Sequence, residues 1–126
     1  MVEISRYSKE GFCPIARNGQ FLCAFITRSE MYEPGLVKVM KRHNDTDEVF
    51  VLLRGKAVLL TREDANDKCD VINVEPFTAY NVKASTWHYL AVSEDAEVFV
   101  TESGALDPKN TDAADVSEEG IIAEIL

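Results

Sequence analysis

The chain has only two histidines, His43 and His88, 45 positions apart. Imidazole is the side chain best suited to proton transfer near neutral pH and to binding first-row metals, so the neighbours of these two decide what they could do. Alternation along an extended run puts Val37, Val39, Lys41 and His43 on one face, and Leu36, Lys38, Met40 and Arg42 on the other. By the same rule Glu48 groups with Phe50 and Leu52, and His88 with Leu90 and Val92. If the apolar members point inward, His43, Glu48 and His88 each end an otherwise apolar face. Such a cluster is the expected place for a small molecule or a metal.

The elements that must position these residues read as strands. Eight short runs rich in Val, Leu, Phe or Thr are bounded by turn residues: Phe21 to Thr27, Leu36 to His43, Glu48 to Leu53, Lys56 to Arg62, Asp70 to Val74, Thr78 to Val82, Trp87 to Ser93 and Glu97 to Glu102. Their spacing of about ten residues suggests an antiparallel sandwich or barrel, and no amphipathic helix of ordinary length interrupts them. Arg54-Gly55 suits a tight hairpin with glycine at positive φ, and Asn44 to Asp47 a polar turn. Glu63 to Lys68 reads as a longer polar loop, and Met1 to Gly19 as one edge strand with irregular chain. Beyond the last run, Asp107 to Asp115 looks like an exposed connection, and Gly120 to Leu126 is apolar enough to dock back.

At 126 residues the chain is long enough for one domain, taken as 1–126 with a core near 21–102 and an acidic extension at 107–126. Apolar residues at 46% and charged residues at 28% are the balance of a soluble globular protein. No apolar run approaches the roughly 20 residues of a membrane span, and the first ten residues do not resemble a signal peptide. Cys13, Cys23 and Cys69 are odd in number and contain no C-x-x-C pair, which fits a reducing, cytoplasmic location and buried or inert thiols. A net charge of −9 argues against nucleic acid or an anionic membrane as partner, although the acidity is concentrated after Asp107.

Gly35, Lys41, His43, Glu48 and Gly55 stand at the spacings of G-x5-H-x-H-x3,4-E-x6-G, and the chain thereby resembles the cupin superfamily in its first motif. Only the first histidine differs, being Lys41. The second motif, G-x5-P-x-G-x2-H-x3-N, keeps His88 alone, with Phe77, Lys83, Ser85 and Val92 at its other marked positions. The resemblance covers about Phe21 to Glu102. It implies an all-β, double-stranded β-helix (jelly-roll) barrel in which three histidines and a glutamate hold a divalent metal such as zinc, iron, manganese or nickel.

His43, Glu48 and His88 would remain as metal ligands here, while the Lys41 ammonium opposes a cation. In a second arrangement Lys41 pairs with Glu48 and the pocket works without metal. Asp45 and Asp47 offer a third source of carboxylate, although turn aspartates usually bond their own backbone. Thr86-Trp87-His88 also looks like a segment of ureidoglycolate lyase-like cupins, which implies lyase or isomerase chemistry on a small polar acid. His43 or His88 would then be the acid or base and Lys41 the group that binds or polarises the anion. Among the aromatics, Tyr80 shares the inward parity of Val82 and is the expected ligand contact. A non-catalytic module sensing a sugar or small acid, paired as a homodimer through its first strands, is the reading from another class.

Overall fold

The computed structural model describes residues 1–34, 39–64, 68–105 and 110–115. Short apolar alternating runs become the strands β1 (Phe12–Arg17), β2 (Leu22–Ile26), β3 (Val39–His43), β4 (Glu48–Arg54), β5 (Ala57–Arg62), β6 (Asp70–Val74), β7 (Ala79–Val82), β8 (Trp87–Val92), β9 (Glu97–Glu102) and β10 (Thr111–Asp115). A 3-10 turn, Glu30–Tyr32, follows β2. Each of the eight expected runs contains a strand, and the N-terminal segment supplies β1 as an edge strand. The start of the run ahead of β3, part of the Glu63 to Lys68 loop and the segment Gly120 to Leu126 lie outside the described residues.

The strands form two antiparallel five-stranded sheets, ordered β1-β2-β9-β4-β7 and β10-β3-β8-β5-β6. From β3 onward the chain changes sheet at every connection except β5 to β6. The expected barrel is therefore corrected. Among the described residues no strand belongs to both sheets, and neither sheet closes on itself. The two stack as an open sandwich whose edges end in β1, β7, β10 and β6, so the faces are held by side-chain packing and not by a continuous ring of backbone bonds.

Two connections also differ from expectation. Gly55 has the positive φ of 78° expected of it, and a Cβ there would meet the Ala96 backbone at 2.6 Å. Yet β4 pairs with β7 and β9 while β5 pairs with β6 and β8, so this turn crosses between sheets and is not a hairpin. Part of the expected exposed connection Asp107 to Asp115 is β10, which pairs along the whole of β3, with Thr111 opposite His43.

The core lies between the sheets. Ala24, Ile26, Phe50, Leu52, Leu59, Leu90, Val92, Val98 and Val100 are buried there, each large aliphatic side chain contributing about 1.5–3 kcal/mol relative to exposure. A smaller cluster, with Met40, Val58, Leu60, Trp87 and Ala91, packs on the other face of the second sheet. No helix among the described residues is long and apolar enough to cross a membrane.

Candidate metal centre

The polar residues gather at one end of the sandwich, where the apolar alternation stops. His43 ends β3, Glu48 opens β4, His88 is second in β8 and Thr111 opens β10. Both imidazoles come from one sheet and the carboxylate from the other. The parities read from the sequence hold: Glu48 continues the buried face of Phe50 and Leu52, and His88 that of Leu90 and Val92.

Glu48 Oε2 lies 3.1 Å from His43 Nε2 and 3.5 Å from His88 Nε2, and one donor atom from each of the three residues falls within 4.8 Å of the other two. All three side chains are about 90% buried, at 11%, 9% and 9% exposure. The rings are 5.4 Å apart and inclined at 55°, and the Phe50 ring packs 6.2 Å from His88.

The far side of each imidazole is also occupied. His88 Nδ1 is 3.0 Å from the Thr86 carbonyl, which can only accept, so Nδ1 carries a hydrogen. In the neutral ring Nε2 is then a bare lone pair aimed at an anionic oxygen. His43 Nδ1 meets the Thr111 hydroxyl at 3.0 Å. Glu48 Oε2 is buried and has no aligned hydrogen bond despite two nitrogens close by. Acceptors turned toward one another need a proton or a metal cation among them. A divalent ion with bonds of about 2.0–2.2 Å spaces its ligands about 3–4 Å apart, which the nitrogen to oxygen distances match. Second-sphere bonds from metal-bound imidazoles to carbonyls and hydroxyls complete that pattern. The cluster can therefore coordinate a divalent metal.

Electrostatics agree with a shared positive charge. Burial pushes Glu48 up, but contact with His43 and His88 outweighs it and holds the carboxyl at about 2. Burial pulls His88 down, and the contact and charge of Glu48 together with the Thr86 carbonyl more than offset this, leaving the imidazole above its usual value.

Glu102, which strand alternation alone does not single out, also reaches this cluster. It closes β9 on the buried face of Val98 and Val100, has a side chain only 6% exposed, and reaches within 4.0 Å of His43 Nε2. Burial, then the charge of Glu48 and a hydrogen bond with it, raise this carboxyl to about 8, against smaller opposing effects of His88 and Arg17. The signal was present in the spacing Val98, Val100, Glu102, but a glutamate at the end of a run reads as a boundary. Thr111 was missed because its segment lacks strand-like residues.

Lys41 is exposed and lines the cavity on the same face as His43, directly across the strands from His88, but is not part of the three-residue cluster. The expected Lys41–Glu48 pairing is corrected. No such ion pair occurs among the described residues, because the histidines already occupy Glu48. Asp47 is spent on the end of β7 and the segment after it, accepting from Ala84 N at 2.8 Å, Lys83 Nζ at 3.1 Å and Asn81 Nδ2 at 3.3 Å. Asp45 is exposed. Tyr80 faces the apolar core, and its hydroxyl accepts from Glu75 N at 2.9 Å, so it is not the ligand contact expected.

The cluster opens into a cavity of about 970 Å³, with Tyr32 and Tyr89 on its wall in place of Tyr80. Burial and the charges of Glu48 and Glu102 hold the Tyr32 phenol above its usual range, so it remains a hydrogen-bond donor. Tyr89 donates to the Glu33 carbonyl at 2.9 Å, tying β8 to the segment after the 3-10 turn.

Among solved structures the chain is similar to a cupin-2 domain protein from Shewanella frigidimarina, at 17% identity and a TM-score of 0.57 over 77% of this chain and 84% of that one. It is similar to the uridine complex of Streptomyces PAC13, at 13% identity and TM-score 0.58 over 87% and 83%. It also matches the capsular polysaccharide assembling protein CapF from Staphylococcus aureus, at 18% identity and TM-score 0.60 over 86% of this chain but only 33% of CapF. These likenesses show a cupin-like fold. No protein-family model and no curated protein matches the sequence.

Proposed function

We propose that the chain binds one divalent transition metal through His43, Glu48 and His88 and holds a small polar acid beside it, with Lys41 facing the anion. The observation that carries this reading is the orientation of His88: Nδ1 on the Thr86 carbonyl turns Nε2 toward Glu48 Oε2, where a metal can take the place of a proton. A bound metal would supply Lewis acidity to a substrate oxygen. The protein's own part follows from the surroundings. Thr86 and Thr111 orient the imidazoles, Phe50 packs against the His88 ring, and Tyr32 offers a phenol donor at the wall. Lys41 at the rim attracts a carboxylate without competing for Glu48.

Metal analysis of protein purified without chelator or metal-affinity resin is the test. About one zinc, iron, manganese or nickel per chain is expected, and it disappears in His88→Ala. Metal-free protein that takes up no ion on titration would defeat the reading.

A metal-free lyase or isomerase is the second reading, favoured by the same contact. An imidazole beside a buried carboxylate is an acid–base pair, and Lys41 lies across from it. It requires turnover of a small hydroxy or ureido acid that survives exhaustive chelation and is lost in both His88→Ala and Lys41→Ala.

A further inference from the structure

Glu102 is a second buried acid at this end of the sandwich, beside Glu48, and two acids so placed need either a proton or a metal cation between them. In the register of β4 and β9, Glu48 and Glu102 are direct partners, so both side chains leave the same face at the same level. Like charges directly opposite in a sheet repel, and burial strengthens the repulsion. Their side chains are only 9% and 6% exposed. On its other flank Glu102 is paired with Leu22, which brings no charge. His43 Nε2 stands between the two acids, 3.1 Å from Glu48 and 4.0 Å from Glu102. Glu102 stands outside the three residues whose donor atoms all lie within 4.8 Å of one another, so it joins a common ion only by turning its side chain; two ligands on opposite sides of one ion are up to about 4.2 Å apart, and its 4.0 Å from His43 Nε2 makes that turn a short one.

Building on the metal reading above, we infer that Glu102 is a fourth protein ligand, making a centre of two imidazoles and two carboxylates. The charge balance favours this set. A divalent ion with Glu48 alone leaves one positive charge buried beneath the ammonium of Lys41. With Glu102 the centre is neutral, and a lysine on the cavity wall is no longer opposed. The carboxylate at the end of β9 thus supplies what Lys41 withholds in the place where the resembled motif has histidine. Two oxygen and two nitrogen donors suit manganese, iron or zinc, and no thiolate is involved.

The experiment is a titration with Co²⁺, followed by calorimetry and by the visible absorption band, whose position and intensity report the ligand set. Wild type, Glu102→Gln, Glu102→Asp and His88→Ala are compared. Gln is isosteric, so the metal-free variant should keep its far-ultraviolet spectrum and melt no lower than wild type, because the amide can donate to Glu48 as the protonated carboxyl does. Expected for Glu102→Gln is an affinity loss beyond the roughly 10–100-fold that removing an outer-sphere partner costs, together with an altered band. Glu102→Asp falls between the two. Wild-type affinity in Glu102→Gln, or weaker binding with a superimposable band, overturns the inference alone. A wild-type chain that takes up no cobalt overturns the metal reading and the inference with it.

Discussion

His88 is fixed from both sides, by a carbonyl that dictates its tautomer and a carboxylate that receives its other nitrogen, and the behaviour of the site follows from that geometry. Two predictions belong at this scale. The first concerns pH in the metal-free protein. A proton held more tightly in the folded state gives stability that is complete below the unfolded pKa and lost as pH rises through the folded one. Glu102, raised from 4.5 to about 8, and His88, raised from 6.5, both have this sign. Glu48, lowered to about 2, has the opposite sign and loses its contribution only in acid. Melting temperatures of metal-free protein should therefore fall as the pH rises from about 4.5 to about 8, with His88 adding to the fall above 6.5, and saturating metal should flatten the curve by replacing the protons. A flat metal-free profile would contradict the arrangement. The second concerns Lys41. Lys41→Ala should leave metal stoichiometry intact while weakening a small carboxylate ligand about tenfold or more, the usual worth of a charge-assisted contact, as measured by calorimetry. His43, Glu48 and His88 were legible in the sequence because strand alternation and motif spacing converge on them. The fate of Lys41 was not, since a lysine on an inward-facing parity can pair, coordinate or reach the rim, and only the occupation of Glu48 by two imidazoles decides among these.

The turns beside the strands carry more of the motif than its letters suggest. Phe77 and Ser85 stand where the second cupin motif has glycine, and both have positive φ, 55° and 68°. Both positions take the left-handed backbone that glycine favours although neither is glycine, so the residue letters carried no sign of it. Ser85 N donates to the His43 carbonyl at 2.7 Å, and Asp47 clasps Lys83 and Ala84, so this turn links the two histidines. Ser85→Gly should thus stabilise by up to about 1 kcal/mol, the relief of left-handed strain less the extra chain entropy of glycine, with metal affinity unchanged. Asp47→Ala should lower the melting temperature and weaken metal binding severalfold, because the turn leading into His88 loses its anchor; melts and a metal titration on one preparation check both. β10 was illegible for a different reason. Thr-Asp-Ala-Ala-Asp has little intrinsic strand preference, and it is held by pairing with β3, the Arg42–Asp112 ion pair and the bond from Asn44 Nδ2 to Asp112.

Across the whole molecule, strand content was readable and strand pairing was not. Eight short runs at regular spacing fit a barrel or a sandwich equally well, and nothing in Arg54-Gly55 says that the next strand joins the opposite sheet. That crossing matters for function, because it lets one sheet deliver imidazoles and the other carboxylates into the gap between them. A site that bridges two sheets should also fasten them. Metal at a hundred times its dissociation constant adds about 2.7 kcal/mol to the folded state, on the order of 10 °C for a chain of this size, and His88→Ala should abolish the gain. The central claim, that the three residues hold a divalent ion, is tested most directly by anomalous scattering from crystals grown with Zn²⁺. The predicted result is one peak at about 2.0–2.2 Å from His43 Nε2, His88 Nε2 and a Glu48 carboxylate oxygen together. Anomalous density only at surface acids, with His88 Nε2 still facing Glu48 and no ion between them, would contradict it.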